Sequence, residues 1–293
     1  MGLKNDFSLM RSVAVLILGL SALSGCSSIT SSLTGRMSAN LSKGVLNQND
    51  PETVRQGAPA YLIMIDGFIA DDPENADVLM SGAQLYAGYS AAFVDDANRT
   101  KLMSLKARDY GRRALCLTNS STCNIWEQPF DQFEVVINEM QMKDIEGMYV
   151  AGMTWATWIQ ANRDDWTAIA DKARVEAIMQ RVVALDDGYR RGSAHLYLGV
   201  LATLIPEALG GKPEEGRQHF EKSIEFSGGQ DLMAKVLLAR DYARLIFDRE
   251  MHDRLCREVL DADANVEGLT LNNTMAQREA QALLDDSQDY FGE

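Results

Sequence analysis

The sequence predicts an all-α protein: helical hairpins stacked into an α-solenoid, an α-α superhelix, with an amphipathic helix capping the C-terminal end. Three observations carry this expectation. Apolar residues recur at three- and four-residue steps through nearly the whole chain from Pro51 onward, and no alternating strand pattern runs longer than a few residues. Small residues return at fixed spacing in successive helices, as where Ala107, Gly111 and Ala114 fall at i, i+4 and i+7. A hairpin cannot bury its apolar face alone, so small residues that let one hairpin lie close on the next are what such a stack needs.

Taken in order, residues 1–25 read as a signal peptide. Lys4 and Arg11 flank the charged start, and Ser12 to Ala22 is an apolar run. It is too short to span a bilayer, which takes about 20 apolar residues. Leu23-Ser24-Gly25-Cys26 follows, and this order resembles a bacterial lipoprotein signal, with cleavage before Cys26 and a diacylglycerol on its thiol. Several acyl chains on one residue give stable anchoring, where a single chain is marginal. Ser27, in place of an aspartate, resembles the sorting pattern for the outer membrane of double-membraned bacteria. Residues 26–50, rich in Ser, Thr and Asn, read as a lipidated flexible tether, and 51–293 as one all-helical domain.

The domain opens with an apolar helix from Ala58 to Ile69, ending at Asp71-Asp72-Pro73, where Asp72 is placed to cap and Pro73 to start the next helix. Val78 to Val94 alternates large and small residues, and Asn98 to Leu117 carries the Ala107, Gly111, Ala114 series. Cys116 and Cys123 flank a polar turn. A bridge there suits an oxidising compartment and closes a small loop worth ~2–3 kcal/mol in the chain-entropy model; two independent thiols are the alternative. Phe130 to Met142 and Ile145 to Gln160 make another pair, Trp166 to Ala170 a short insertion, and Ala173 to Asp186 a further helix.

Arg191 to Gly229 is the clearest hairpin. Leu196, Gly199, Val200, Thr203 and Leu204 share one face, and Pro213 sits at a first helical position with Glu214 and Glu215 in the electropositive first turn. Gly216, Phe220 and Ser223 then fall at i, i+4 and i+7. That is the small–aromatic–small signature of the second helix of a tetratricopeptide repeat, with Leu198-Gly199 where the first helix carries Leu-Gly. The joining segment is about five residues longer than in the standard repeat, so a plain helical hairpin is the alternative; the spacing between such occurrences along the chain is irregular, which makes the array a degenerate, tetratricopeptide-like one. Asp231 to Asp248 pairs with Glu250 to Leu260, and Leu271 to Leu284 is the capping helix.

The formal net charge of −14 argues against nucleic-acid binding and against basic-patch docking on anionic membranes. Catalytic signatures are absent: no HExxH, GxSxG, Walker loop, dinucleotide fingerprint or CxxC occurs, nor the Glu-Ser pair of a lytic transglycosylase. Of the three histidines, His195, His219 and His252, the first two lie in the two helices of the clearest hairpin and are placed to face one another, but a metal site needs more ligands at defined spacing and helix packing or surface exposure is the simpler reading; the paired aspartates fall at helix ends, where capping explains them. Cys256 reads as a buried small hydrophobe. We therefore expect no enzyme, no cofactor and no metal. Aromatic residues do suggest binding. Tyr149, Trp155 and Trp158 lie in one helix, though not on a single clean stripe, and Tyr197 in the next hairpin, placed to line an apolar pocket; packing within the core is the alternative for these rings.

Lipobox Cys26, the segment 58–94, YGRRALCL (110–117), MTWATWI (153–159), the HLYLG and GGKPEEGRQHFEKSIEFSGG of the clearest hairpin, and LNNTMAQREAQALL (271–284) together resemble the T component of TRAP-transporter-associated proteins, the TatT family. The resemblance implies a periplasmic, lipid-anchored, tetratricopeptide-like helical protein. It further implies work with the substrate-binding P component of a tripartite ATP-independent periplasmic transporter, and handling of a hydrophobic small molecule through a cavity or pore in a homo-oligomer. No catalytic residues come with the family. A helical-repeat scaffold lipoprotein of the cell envelope, with no small ligand, is the alternative.

Overall fold

A computed structural model describes residues 43–292. The signal peptide, Cys26 and most of the tether therefore lie outside the described residues. The compact unit begins at Leu46, ahead of the boundary at residue 51 expected from composition, and Asn47 accepts a hydrogen bond from the Gly268 amide at 2.7 Å.

Thirteen α-helices and no strand occur among the described residues. They are α1 (Pro51–Asp71), α2 (Ala76–Phe93), α3 (Ala97–Thr118), α4 (Phe130–Glu139), α5 (Ile145–Ala161), α6 (Trp166–Ala170), α7 (Lys172–Leu185), α8 (Tyr189–Thr203), α9 (Pro213–Phe226), α10 (Leu232–Leu237), α11 (Arg249–Asp261), α12 (Thr270–Asp285) and α13 (Ser287–Phe291). Packing follows chain order: α2 on α3, α3 on α5, α5 on α7, α7 on α8, α8 on α9, and α11 on α12. Alternate helices touch as well, α2 with α5, α5 with α8 and α8 with α10. Helix α12 also touches α1, and α4 and α6 are short pieces tucked against α7.

The first helix shows how a sequence defect becomes a tertiary bond. Pro59 has no N–H, so the carbonyl of Arg55 loses its helical partner. The Tyr89 hydroxyl on α2 donates to that carbonyl at 3.2 Å. Asp66 fastens the same helix further along. It accepts from the Tyr86 hydroxyl (2.7 Å), the Tyr110 hydroxyl (2.8 Å) and the Lys106 ammonium. Burial opposes the Asp66 charge, yet those donors hold its carboxyl below the ordinary carboxylate range, while burial and Asp66 push the Tyr110 phenol up to about 12. One carboxylate thereby joins α1, α2 and α3.

Small residues sit where helices cross. At Gly111 an added Cβ would stand 2.5 Å from Thr154 Oγ1 and 3.3 Å from the Ala151 Cα, so α3 and α5 meet nearly backbone to backbone. At Gly199 it would stand 2.6 Å from the Phe220 ring, which is wholly buried and joins the core formed by Leu232, Val236, Leu255 and Val259.

Several boundaries differ from expectation, and side-chain bonds explain them. Asn75, not Asp72, caps α2, accepting from the Val78 amide at 3.2 Å; Pro73 lies in the preceding turn. Helix α4 stops at Glu139 because Arg181 takes the Met140 carbonyl (Nε–O 3.0 Å) and buried Asp144 takes the Gln141 amide (2.9 Å). The expected helix from Asp231 to Asp248 breaks at Leu238–Ala243 into a π-turn, with the Arg244 amide bonded to the Ala239 carbonyl. Helix α12 is followed by α13, whose Phe291 packs on Phe247 (5.1 Å) and His252 (5.3 Å). Cys256 is fully buried, and burial pushes its thiol up to about 11.

His195 and His219 face one another across the α8–α9 hairpin, Nδ1 to Nδ1 at 2.9 Å, and His195 Nε2 lies 2.9 Å from Asp187. The carboxylate accepts from the His195 Nε2–H, which leaves His195 Nδ1 to accept from His219. Burial lowers both imidazole pKa values, and the His195 ring stacks on Phe226. Packing accounts for the pair. Among the described residues no group of three or more His, Cys, Asp or Glu side chains is placed to hold a metal ion.

Candidate ligand-binding site

Helix α5 carries three of the four aromatic residues expected at a ligand site, and its geometry divides them. At 3.6 residues per turn, positions nine apart such as Tyr149 and Trp158 lie half a turn round from each other. Tyr149, buried, meets Tyr189 (5.6 Å) and Tyr197 (6.1 Å), both edge-on. The guanidinium of Arg190 lies 5.0 Å from the Tyr149 ring and bonds to Gln84 (3.1 Å) and Glu146 (3.0 Å). Arg190 reaches that place because Arg190, Arg191 and Gly192 all adopt left-handed backbone, with φ of 48°, 61° and 73°. This is uncommon for two consecutive non-glycine residues.

Trp155 belongs to a different group. Its ring is buried 5.4 Å from Trp126 and 6.3 Å from Phe133, and its indole N–H donates to Asp171 at 3.2 Å. Trp158 is half-buried, with the Arg108 guanidinium 3.8 Å from its ring centroid. A single apolar pocket lined by Tyr149, Trp155, Trp158 and Tyr197 is therefore not what these contacts build.

Two cavities flank Trp126. One, of about 540 Å³, is walled by Pro73, Arg112, Arg113, the Cys116–Cys123 pair and Glu127. The sulfurs of that pair are 2.01 Å apart, a disulfide that closes the turn forming the wall. The other, about 200 Å³, is bounded by Arg108, Arg112, Glu127, Trp155 and Asp171. The walls mix guanidiniums with indole rings. Burial raises the Asp171 carboxyl against the pull of Arg174, Trp155 and Arg108. Such a surface offers ring faces and charged hydrogen-bond donors side by side. It presents no paired nucleophile and base.

Trp126, Arg108 and Arg112 are the residues that sequence reasoning missed. The i, i+4 spacing of the two arginines on α3 was the available signal. Trp126 sits in an irregular segment with no periodicity.

The sequence model of the TRAP transporter T-component family matches residues 47–291, from the chain just ahead of α1 to the last residue of α13. The chain belongs to this family. T-components are transport accessories and not enzymes, and membership associates the chain with a TRAP transport system. A search of curated proteins finds none that matches it. No helix among the described residues is long and apolar enough to cross a membrane.

Proposed function

We propose that this T-component is a lipid-anchored periplasmic accessory that engages the substrate-binding P component of its TRAP system and carries a small ligand with a hydrophobic body. Anchoring is through Cys26, to the outer membrane. The observation that carries the reading is the family match, because it spans the whole hairpin stack and not one motif within it. The Leu-x-Gly-Cys box at residues 23–26 supports the anchor. We infer that the hairpins form a degenerate tetratricopeptide-like array, whose stacked faces suit contact with another protein. Trp155 supplies the ligand wall together with Trp126, and Trp158, stacked on Arg108, holds that guanidinium at the wall, while Tyr149 and Tyr197 form a second aromatic surface beside Arg190.

Native mass spectrometry of a soluble form beginning after Cys26, purified without detergent, tests carriage. The expected result is a reproducible small apolar species, lost in Trp158→Ala while the circular-dichroism melt is retained. A protein that is bare in every preparation argues against carriage. The same spectra read the oligomeric state.

A further inference from the structure

Helix α1 is apolar on both sides. Val54, Ala58, Leu62, Ile65 and Ile69 make its buried side, and the helix packs on α2 and touches α12. On the opposite side every exposed position between Thr53 and Asp71 is uncharged, and all but Gln56 are apolar or glycine. Ile63 is 74% exposed, and Met64 and Phe68, one turn apart, are exposed as well. A Cβ added at Gly57 or Gly67 would meet nothing within 4 Å, so the surface between the larger side chains is open. Charge is confined to the margins. Glu52 and Asp71 lie at the two ends, Arg55 pairs with Asp95 (3.4 Å), and Asp66 is held by Lys106 and two tyrosine hydroxyls.

A helix on the outside of a folded protein ordinarily turns charged and polar side chains to water, and one that is apolar all round has a second apolar neighbour. In a chain whose formal net charge is −14, an uncharged strip about 20 Å long is the exception that calls for one. Position in the chain says which neighbour. Residues 27–50 separate Cys26 from α1, at most about 80 Å of extended chain. A diacylglycerol on Cys26 therefore keeps α1 within reach of a bilayer at all times, at a high effective concentration. The exposed side chains of the strip offer one amide, at Gln56, and no charge with which a protein partner could fix its register, whereas the acyl boundary of a membrane needs neither. An acidic body is repelled by anionic headgroups, so the surface that fits is a neutral one.

We propose that this side of α1 is a membrane-docking surface: it lies along the acyl boundary of a neutral bilayer, with Ile63, Met64 and Phe68 inserted, and sets the orientation of the hairpin stack on the membrane. The proposal rests on the lipid-anchor reading above and deepens it. The acyl chains supply reach, and α1 supplies orientation.

The test is flotation, with vesicles of phosphatidylcholine, of the mature chain beginning at Ser27, which keeps the whole compact unit and carries no lipid. We expect binding that added salt does not weaken. Ile63→Asp and Gly67→Glu are each expected to lower the partition about tenfold or more, since each brings a charge to the acyl boundary. Ile63 is mostly in water and Gly67 has open space beyond it, so both variants should melt as the parent does, which separates lost docking from lost fold. An absence of flotation overturns the proposal. So does flotation that both variants retain, and so does binding that needs anionic lipid and disappears in salt. If vesicles fail and the same variants instead dissociate an oligomer in sedimentation, the strip is an interface between copies of this chain and the proposal falls. The anchor is read separately, by the mass of the Cys26 peptide from the full-length protein made in a bacterium. Vesicle binding with an unmodified Cys26 keeps the docking surface and removes the anchor; lipid on Cys26 without flotation does the reverse.

Discussion

Replacing Phe220 with alanine is expected to lower the stability of the protein by about 3–5 kcal/mol, read as a shift of the denaturant midpoint. The ring is wholly buried, and it is the piece that fills the space left by the missing side chain of Gly199. Gly199→Val tests the same contact from the other side. Its side chain has no room beside the ring and costs about 1–3 kcal/mol. The two changes are coupled, because valine at 199 partly fills the cavity that alanine at 220 opens. The double variant should therefore lose less than the sum of the single ones. Strict additivity would show that the two residues do not form the α8–α9 contact described here.

Trp155→Ala is expected to be of similar size, about 3–5 kcal/mol, since the ring is buried against Trp126 and Phe133. It also leaves Asp171 without the indole donor. Burial already disfavours this carboxylate, so the loss adds to its cost. Trp155→Phe keeps most of the packing and loses the hydrogen bond, and should fall well short of the alanine change in a urea titration. If the two substitutions cost the same, packing is not what Trp155 supplies. For ligand studies this makes Trp155→Ala a poor probe. Trp158, half-buried beneath Arg108, can be removed with less damage to the core.

Helix number and order are legible in the sequence because each helix buries one face, and the 3.6-residue period writes that face into the chain. The small residues at which helices cross, Gly111 and Gly199 among them, are legible for the same reason, though not the side chains they meet. Details fixed by single hydrogen bonds are not. The choice of Asn75 over Asp72 as a cap depends on how the Asp72-Pro73 turn folds, and the end of α4 depends on Arg181, which lies on another helix. The left-handed run Arg190–Gly192 has no composition signal, since two of its three residues are arginines. The candidate site was half legible. Its aromatic content showed, but the side of α5 on which each ring falls, and the arginines that approach from α3, follow from packing between segments far apart in sequence.

We propose that this T-component works on the P component of its own TRAP system. The direct measurement is a pull-down and titration of the purified protein with that P component, with a P component from an unrelated TRAP system as control. A saturable complex with the cognate partner and none with the control is the result predicted here. If the cognate P component does not bind, and the protein instead holds other envelope proteins without a small ligand, the accessory role is contradicted and a scaffold lipoprotein takes its place.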